Sequence, residues 1–137
     1  MRKQLQVLFA CMALSGCCTP PEKEITVNEL IKSTSSWDGK ELPKYPTGQP
    51  EVTILRIEVK PGANLPVHYH PVINAGVLLK GELTVVSKQG EILKLKAGDP
   101  IIEVVDKLHY GTNEGDTTAE IIVFYAGTKD SKITIKE

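Results

Sequence analysis

Three histidines supply the clearest chemistry in the chain. His68 and His70 flank Tyr69 in the run His68-Tyr69-His70. In an extended segment successive side chains point to opposite faces, so the two imidazoles project the same way and can share one ion, while Tyr69 points away. His109 follows about forty positions later, beyond an apolar run and a bend around Asp106-Lys107. A barrel would bring it opposite the pair. Three neutral imidazoles suit one divalent metal ion, whether iron, zinc, nickel, copper or manganese, and three protein ligands leave positions open for water or substrate. All three cysteines, Cys11, Cys17 and Cys18, lie in or beside the amino-terminal apolar segment. The folded part therefore has no thiolate zinc site and no disulfide.

The elements that must position these imidazoles are strands. From Ile25 onward β-branched runs alternate with Gly, Pro, Asn and Asp clusters, and helical periodicity is almost absent. Strands are expected over 29–35, 52–59, 65–70, 73–79, 82–87, 92–96, 101–105, 119–125 and 132–135. Turns are expected at Lys60-Pro61-Gly62, Lys80-Gly81, Gln89-Gly90, Ala97-Gly98-Asp99 and Asn113-Glu114-Gly115. Their spacing suits a sandwich or closed barrel. In the strand at 53–59 Leu55, Ile57 and Val59 share one face, and Arg56 and Glu58 the other. Arg56 is therefore expected in solvent rather than on a substrate.

At 137 residues the chain has room for one domain with one core. Hydrophobic and charged fractions are those of an ordinary globular protein. The formal net charge is −1, and losing Arg2 and Lys3 with a leader takes it to −3. No field that would steer nucleic acid is expected. There is no phosphate-binding glycine loop, heptad pattern or internal repeat.

The spacing of glycines and histidines resembles the cupin family. Its first motif runs Gly, five residues, His, one, His, three or four, Glu, six, Gly, and here Gly62, His68, His70, Asn74 and Gly81 stand at that spacing. Its second motif runs Gly, five residues, Pro, one, Gly, two, His, three, Asn, and the matching positions are Gly98, Val104, Asp106, His109 and Asn113. The outer landmarks match and the inner Pro and Gly do not. The resemblance implies an all-β double-stranded β-helix, a jelly-roll barrel, with His68, His70 and His109 as metal ligands. It also implies a small-molecule ligand and a homodimer paired through outer strands.

Two positions depart from the family. Asn74 stands where the motif has Glu, so the site loses a negative charge. Asn74 is then a weak ligand through its amide oxygen, a group bonded to a ligand, or a plain hydrogen-bonding residue of the barrel. A neutral three-histidine site is similar to that of cupin dioxygenases lacking a carboxylate ligand. Glu103 interrupts the apolar run Pro100 to Val105. Facing inward, it would replace the missing carboxylate and act as a base; facing outward on a twisted strand, it would simply be solvated.

The amino terminus resembles a lipoprotein leader. Arg2 and Lys3 precede an apolar stretch from Leu5 to Leu14, too short for the ~20 residues a membrane span needs. Leu14-Ser15-Gly16-Cys17 is similar to the lipobox of bacterial lipoproteins, which makes Cys17 the expected lipidated residue. The organisation expected is a signal peptide over 1–17, a tether and entry over 18–27 and the cupin domain over 28–137. The protein would then sit in the cell envelope, on the periplasmic or another extracytoplasmic face, touching a membrane only through its lipid. Two functions compete: a metal-dependent enzyme, such as a dioxygenase or isomerase, and a non-catalytic envelope module that binds a small molecule or metal.

Overall fold

A computed structural model describes residues 24–137. The expected leader, Cys17 as the expected lipidated residue and most of the expected tether lie outside the described residues.

Nine strands and no helix make up the described chain. They are β1 (Pro50–Val59), β2 (His68–Tyr69), β3 (Ile73–Lys80), β4 (Glu82–Ser87), β5 (Ile92–Lys96), β6 (Pro100–Ile102), β7 (His109–Thr112), β8 (Ala119–Thr128) and β9 (Ile135–Lys136). One sheet has the order β1-β8-β3-β6 and the other β5-β4-β7-β2-β9. The neighbouring strands are antiparallel throughout. The two sheets enclose one core, and the architecture is the all-β jelly roll expected.

Local alternation builds the walls. On β1 the inward residues are Leu55, Ile57 and Val59, and the outward Arg56 pairs with Glu120 of β8 at 2.6 Å. β8 buries Ile121, Val123 and Tyr125, and β4 buries Leu83 and Val85. The β3–β4 connection turns at Gly81, whose φ is +73°. A Cβ there would lie 2.8 Å from the Thr118 carbonyl oxygen, so only glycine fits.

Several expected strands change shape for physical reasons. Residues 29–35 form no strand: Leu30 and Ile31 are adjacent rather than alternating, and the segment runs irregular and largely exposed as far as a single bridge from Ser35 to Glu41. The strand expected over 65–70 shrinks to β2, because Pro66 and Pro71 donate no ladder hydrogen bond. That expected over 101–105 ends at Ile102, and the chain reaches a left-handed turn at Asp106, φ +53°. β7 was not anticipated, since Gly111 and the flanking turn residues mask its β-forming Tyr110 and Thr112. The last strand moves from 132–135 to β9.

Candidate metal and ligand site

The ladder itself brings the histidines together. His68 of β2 lies directly opposite His109 of β7, and directly opposite residues of antiparallel strands share a face. His70, two residues beyond His68, faces the same way. Ring centroids are 4.5 Å apart for His68 and His109, 4.8 Å for His68 and His70, and 5.1 Å for His70 and His109. Their ligand atoms all lie within 4.8 Å of one another, and all three residues are buried.

Each ring is oriented from behind by a main-chain carbonyl. Nδ1 of His68 donates to Pro66 at 2.7 Å, Nδ1 of His70 to Ile133 at 2.7 Å, and Nδ1 of His109 to Lys107 at 2.8 Å. A carbonyl only accepts, so each Nδ1 carries the proton and each Nε2 keeps its lone pair. This is how proteins present imidazole to a metal. Burial holds all three histidines below their ordinary pKa, His70 at about 4, which keeps the lone pairs free at neutral pH.

Beside them stands Glu103, 9% exposed, at the position beyond β6 where the main chain still bonds β3 through Glu103 N–H and the Asn74 carbonyl, 3.0 Å. The carboxylate faces inward. Its Oε2 lies 3.8 Å from His109 Nε2, and both atoms are buried without a hydrogen-bond partner. Burial raises the carboxyl pKa to about 7, against the opposing effect of His68. With His109 neutral the contact is polar rather than an ion pair. A divalent cation held by the imidazoles would satisfy both orphaned atoms, so the donor set fits a metal.

Asn74 is 1% exposed on β3, opposite Tyr125 of β8. Its Nδ2 donates to the Val72 carbonyl at 3.3 Å and its Oδ1 has no partner.

The histidines and Glu103 open on a cavity of about 300 Å³. Its walls are apolar, including Leu55, Ile57, Leu65, Leu83, Val85 and Val123. Tyr125 packs against His70 with ring centroids 5.4 Å apart. Thr134 and Lys136, both exposed, line the outer part. A volume near the lower end of small-ligand sites, with few polar groups among many apolar ones, fits a small organic molecule.

Sequence reasoning missed the supports of this site. Trp37, the chain's one tryptophan, is tied by its main-chain N–H to the Ile102 carbonyl at 2.9 Å. Its indole lies beside the Glu103 carboxyl, its buried N–H without a formed hydrogen bond. Asp38 accepts from Lys107 at 2.7 Å, steadying the residue whose carbonyl orients His109. Burial pushes the Asp38 carboxyl up, but the Lys107 ammonium and the Ser36 hydroxyl outweigh it and hold it at about 2. A lone Trp followed by Asp in an otherwise polar stretch was the available signal.

The cupin domain family model matches residues 55–125. No curated protein matches the sequence. Among solved structures, the chain is similar to a DMSP lyase, DddQ, from Ruegeria pomeroyi, at 18% identity and a TM-score of 0.55, over 62% of this chain and 42% of that one. It is similar to an oxalate decarboxylase from Lactobacillus farciminis at 20% identity and a TM-score of 0.54, over 62% of this chain and 26% of that one. It also resembles the polyketide cyclase RemF from Streptomyces resistomycificus, at 18% identity and a TM-score of 0.53, over 66% and 63% of the two chains. The chain thus spans less than half of each of the first two. At these identities the likeness concerns the fold. With two sheets in a jelly roll, three converging histidines and a family match over more than half its length, the chain belongs to the cupin domain family.

Proposed function

We propose that this cupin is a metal-dependent enzyme that moves a proton on a small organic substrate, with His68, His70 and His109 as the ligands of one divalent ion. The observation that carries the metal assignment is the common orientation of the imidazoles, each Nδ1 fixed to a main-chain carbonyl and each Nε2 left as donor. When bound, the ion supplies Lewis acidity to a substrate oxygen.

Glu103 favours isomerisation over dioxygenation. Its Oε2 is aimed into the cavity with no protein partner, and it is the acidic group lining it. Glu103 Oε2 takes a proton from a hydroxyl-bearing carbon next to a substrate carbonyl and returns it to the carbonyl carbon, while the hydroxyl proton passes to the carbonyl oxygen; carbonyl and hydroxyl exchange places, and atoms and charge balance. The apolar walls exclude water while the proton is held. The imidazoles, pinned from behind, stay in place. Asn74 acts from behind this site, its free amide oxygen the group that stands in the family's glutamate position.

The test has two parts. Elemental analysis of natively produced protein reads the metal. The metal-loaded protein is then incubated in D2O with small carbonyl compounds that carry hydrogen on the adjacent carbon, and deuterium uptake is read by mass spectrometry. Uptake lost in Glu103→Gln supports the proposal; oxygen consumption without deuterium uptake points to a dioxygenase. A barrel free of metal and filled with a co-purifying ligand points to a non-catalytic binding module.

The location proposed is the cell envelope, with lipid on Cys17 and the domain held on the 18–27 tether. Two or three acyl chains anchor stably where one does not. Mature protein should partition into detergent, and Cys17→Ala should abolish this while leaving the domain folded. Wild-type protein that stays in the aqueous phase would end the lipoprotein assignment. A homodimer is proposed with it, read by the mass of the delipidated domain in solution.

A further inference from the structure

From the face that β9 presents, we infer that the cavity selects small monoanions with a short apolar body, and that Lys136 is the specificity residue for the anionic head. This deepens the proposed function and rests on the cavity being its ligand site.

The register is the main argument. His68 is opposite Lys136 across the β2–β9 ladder, as it is opposite His109 across the β2–β7 ladder. One row therefore runs Lys136, His68, His109 across the sheet, with all three side chains on the cavity face. Alternation places Thr134 on that face too, and its hydroxyl lies 3.2 Å from His70 Nδ1. Lys136 lines the cavity as this predicts.

Charge and burial then set the polarity of the ligand. The lining residues carry one fixed cation, Lys136, and one acid, Glu103. They differ in burial: Glu103 is buried with His109, while Lys136 is exposed with Pro66 and Thr134, which marks the mouth. Among the described residues Lys136 makes no ion pair, although the adjoining Glu137 pairs with Lys88 at 3.1 Å. Lys136 is thus a cation at the mouth of an apolar chamber, ready for an external anion. An anionic head meets Lys136 and stays away from Glu103, and a hydrocarbon body fills the space between Leu55, Ile57, Leu83 and Val123. The chamber has room for the equivalent of roughly ten waters, since each occupies about 30 Å³ of liquid. That suits a branched body of several carbons.

Calorimetric titration of the full chain, metal-free and zinc-loaded, with 4-methylpentanoate, 4-methylpentanamide and acetate tests this. The wild type should bind 4-methylpentanoate at least tenfold more tightly than the amide, which lacks the charge, and than acetate, which lacks the body. Lys136→Met should cut the preference over the amide at least fivefold without weakening the amide itself, and Lys136→Arg should retain it. Equal affinities for acid and amide, no binding of any probe, or an unchanged preference in Lys136→Met would each overturn the inference. Retained zinc is measured separately on the same samples. Loss of zinc on dialysis with the Lys136-dependent preference intact defeats the metal assignment alone, whereas retained zinc without the preference defeats this inference alone.

Discussion

Two buried asparagines divide the molecule into a finished end and an unfinished one. Asn113 is 0% exposed and fully bonded: Nδ2 donates to Val59 and Thr117, each at 2.8 Å, and Oδ1 accepts from Gly115 N–H at 3.0 Å. Its main chain also bonds Ala63 and Gly62. Asn74 is as deeply buried, yet Oδ1 has no partner. The same holds for Trp37 Nε1, Glu103 Oε2 and His109 Nε2; Glu103 and His109 line the cavity, and the Trp37 indole and the Asn74 main chain both adjoin Glu103. Buried polar atoms are normally satisfied, so unsatisfied ones gathered in one region indicate a place completed from outside the chain. On the proposed function, the first end serves stability and the second serves binding.

Breaking the unfinished end should affect binding most. His109→Ala removes one of the three proposed ligands, so metal affinity should fall by at least about 100-fold in a competition titration with a chelator. Zinc should raise the melting temperature of the wild type and leave that of His109→Ala unchanged. Glu103→Gln keeps shape and removes charge, so metal affinity should fall by about 10- to 100-fold. Asn74→Glu should restore affinity in the Glu103→Gln background and help less in the wild type, because groups sharing one site couple. Additive effects in that cycle would separate the two residues.

At the finished end the sign reverses. Asn113→Ala strands several main-chain groups and should cost about 2–4 kcal/mol in urea unfolding, with metal affinity per folded molecule retained. Asn74→Leu removes an amide already half unsatisfied and should change stability by less than about 1 kcal/mol. Equal losses from the two would erase the distinction.

A loss smaller than that of Asn113→Ala concerns the strap around Asp38. Its folded pKa, about 2, lies below the ordinary 3.8. A depressed carboxyl pKa stabilises the fold fully above about pH 4, and that contribution is lost as pH falls towards 2. Lys107→Met should remove about 1 kcal/mol of stability at pH 6 and flatten the acid dependence between pH 4 and 2.

The fold and the convergence of the three histidines were legible because each depends on local rules. Alternation in 53–59 marked the inner face of β1, and two histidines one residue apart marked a shared face before any pairing was known. Glu103 was visible as an anomaly in an apolar run, but its direction was not, because the ladder ends just before it and period-two reasoning stops there. Trp37, Asp38, Thr134 and Lys136 were not legible. Each reaches the site through a pairing with distant sequence, such as Lys136 with His68 or Asp38 with Lys107, and no local pattern encodes the partner.

The segment that leads into β9 and ends with it also sets an order of assembly. The carbonyl that orients His70 belongs to Ile133, and the partner of His68 on that side is Lys136, both beyond the stretch that carries the family pattern. During synthesis the barrel strands emerge first and domains fold as the chain appears. The two histidines nonetheless gain their last supports only after residues 133–136 have been made. Until then the His70 ring lacks the carbonyl that orients it, and a nascent chain offers a captured ion a looser grip than the finished protein does.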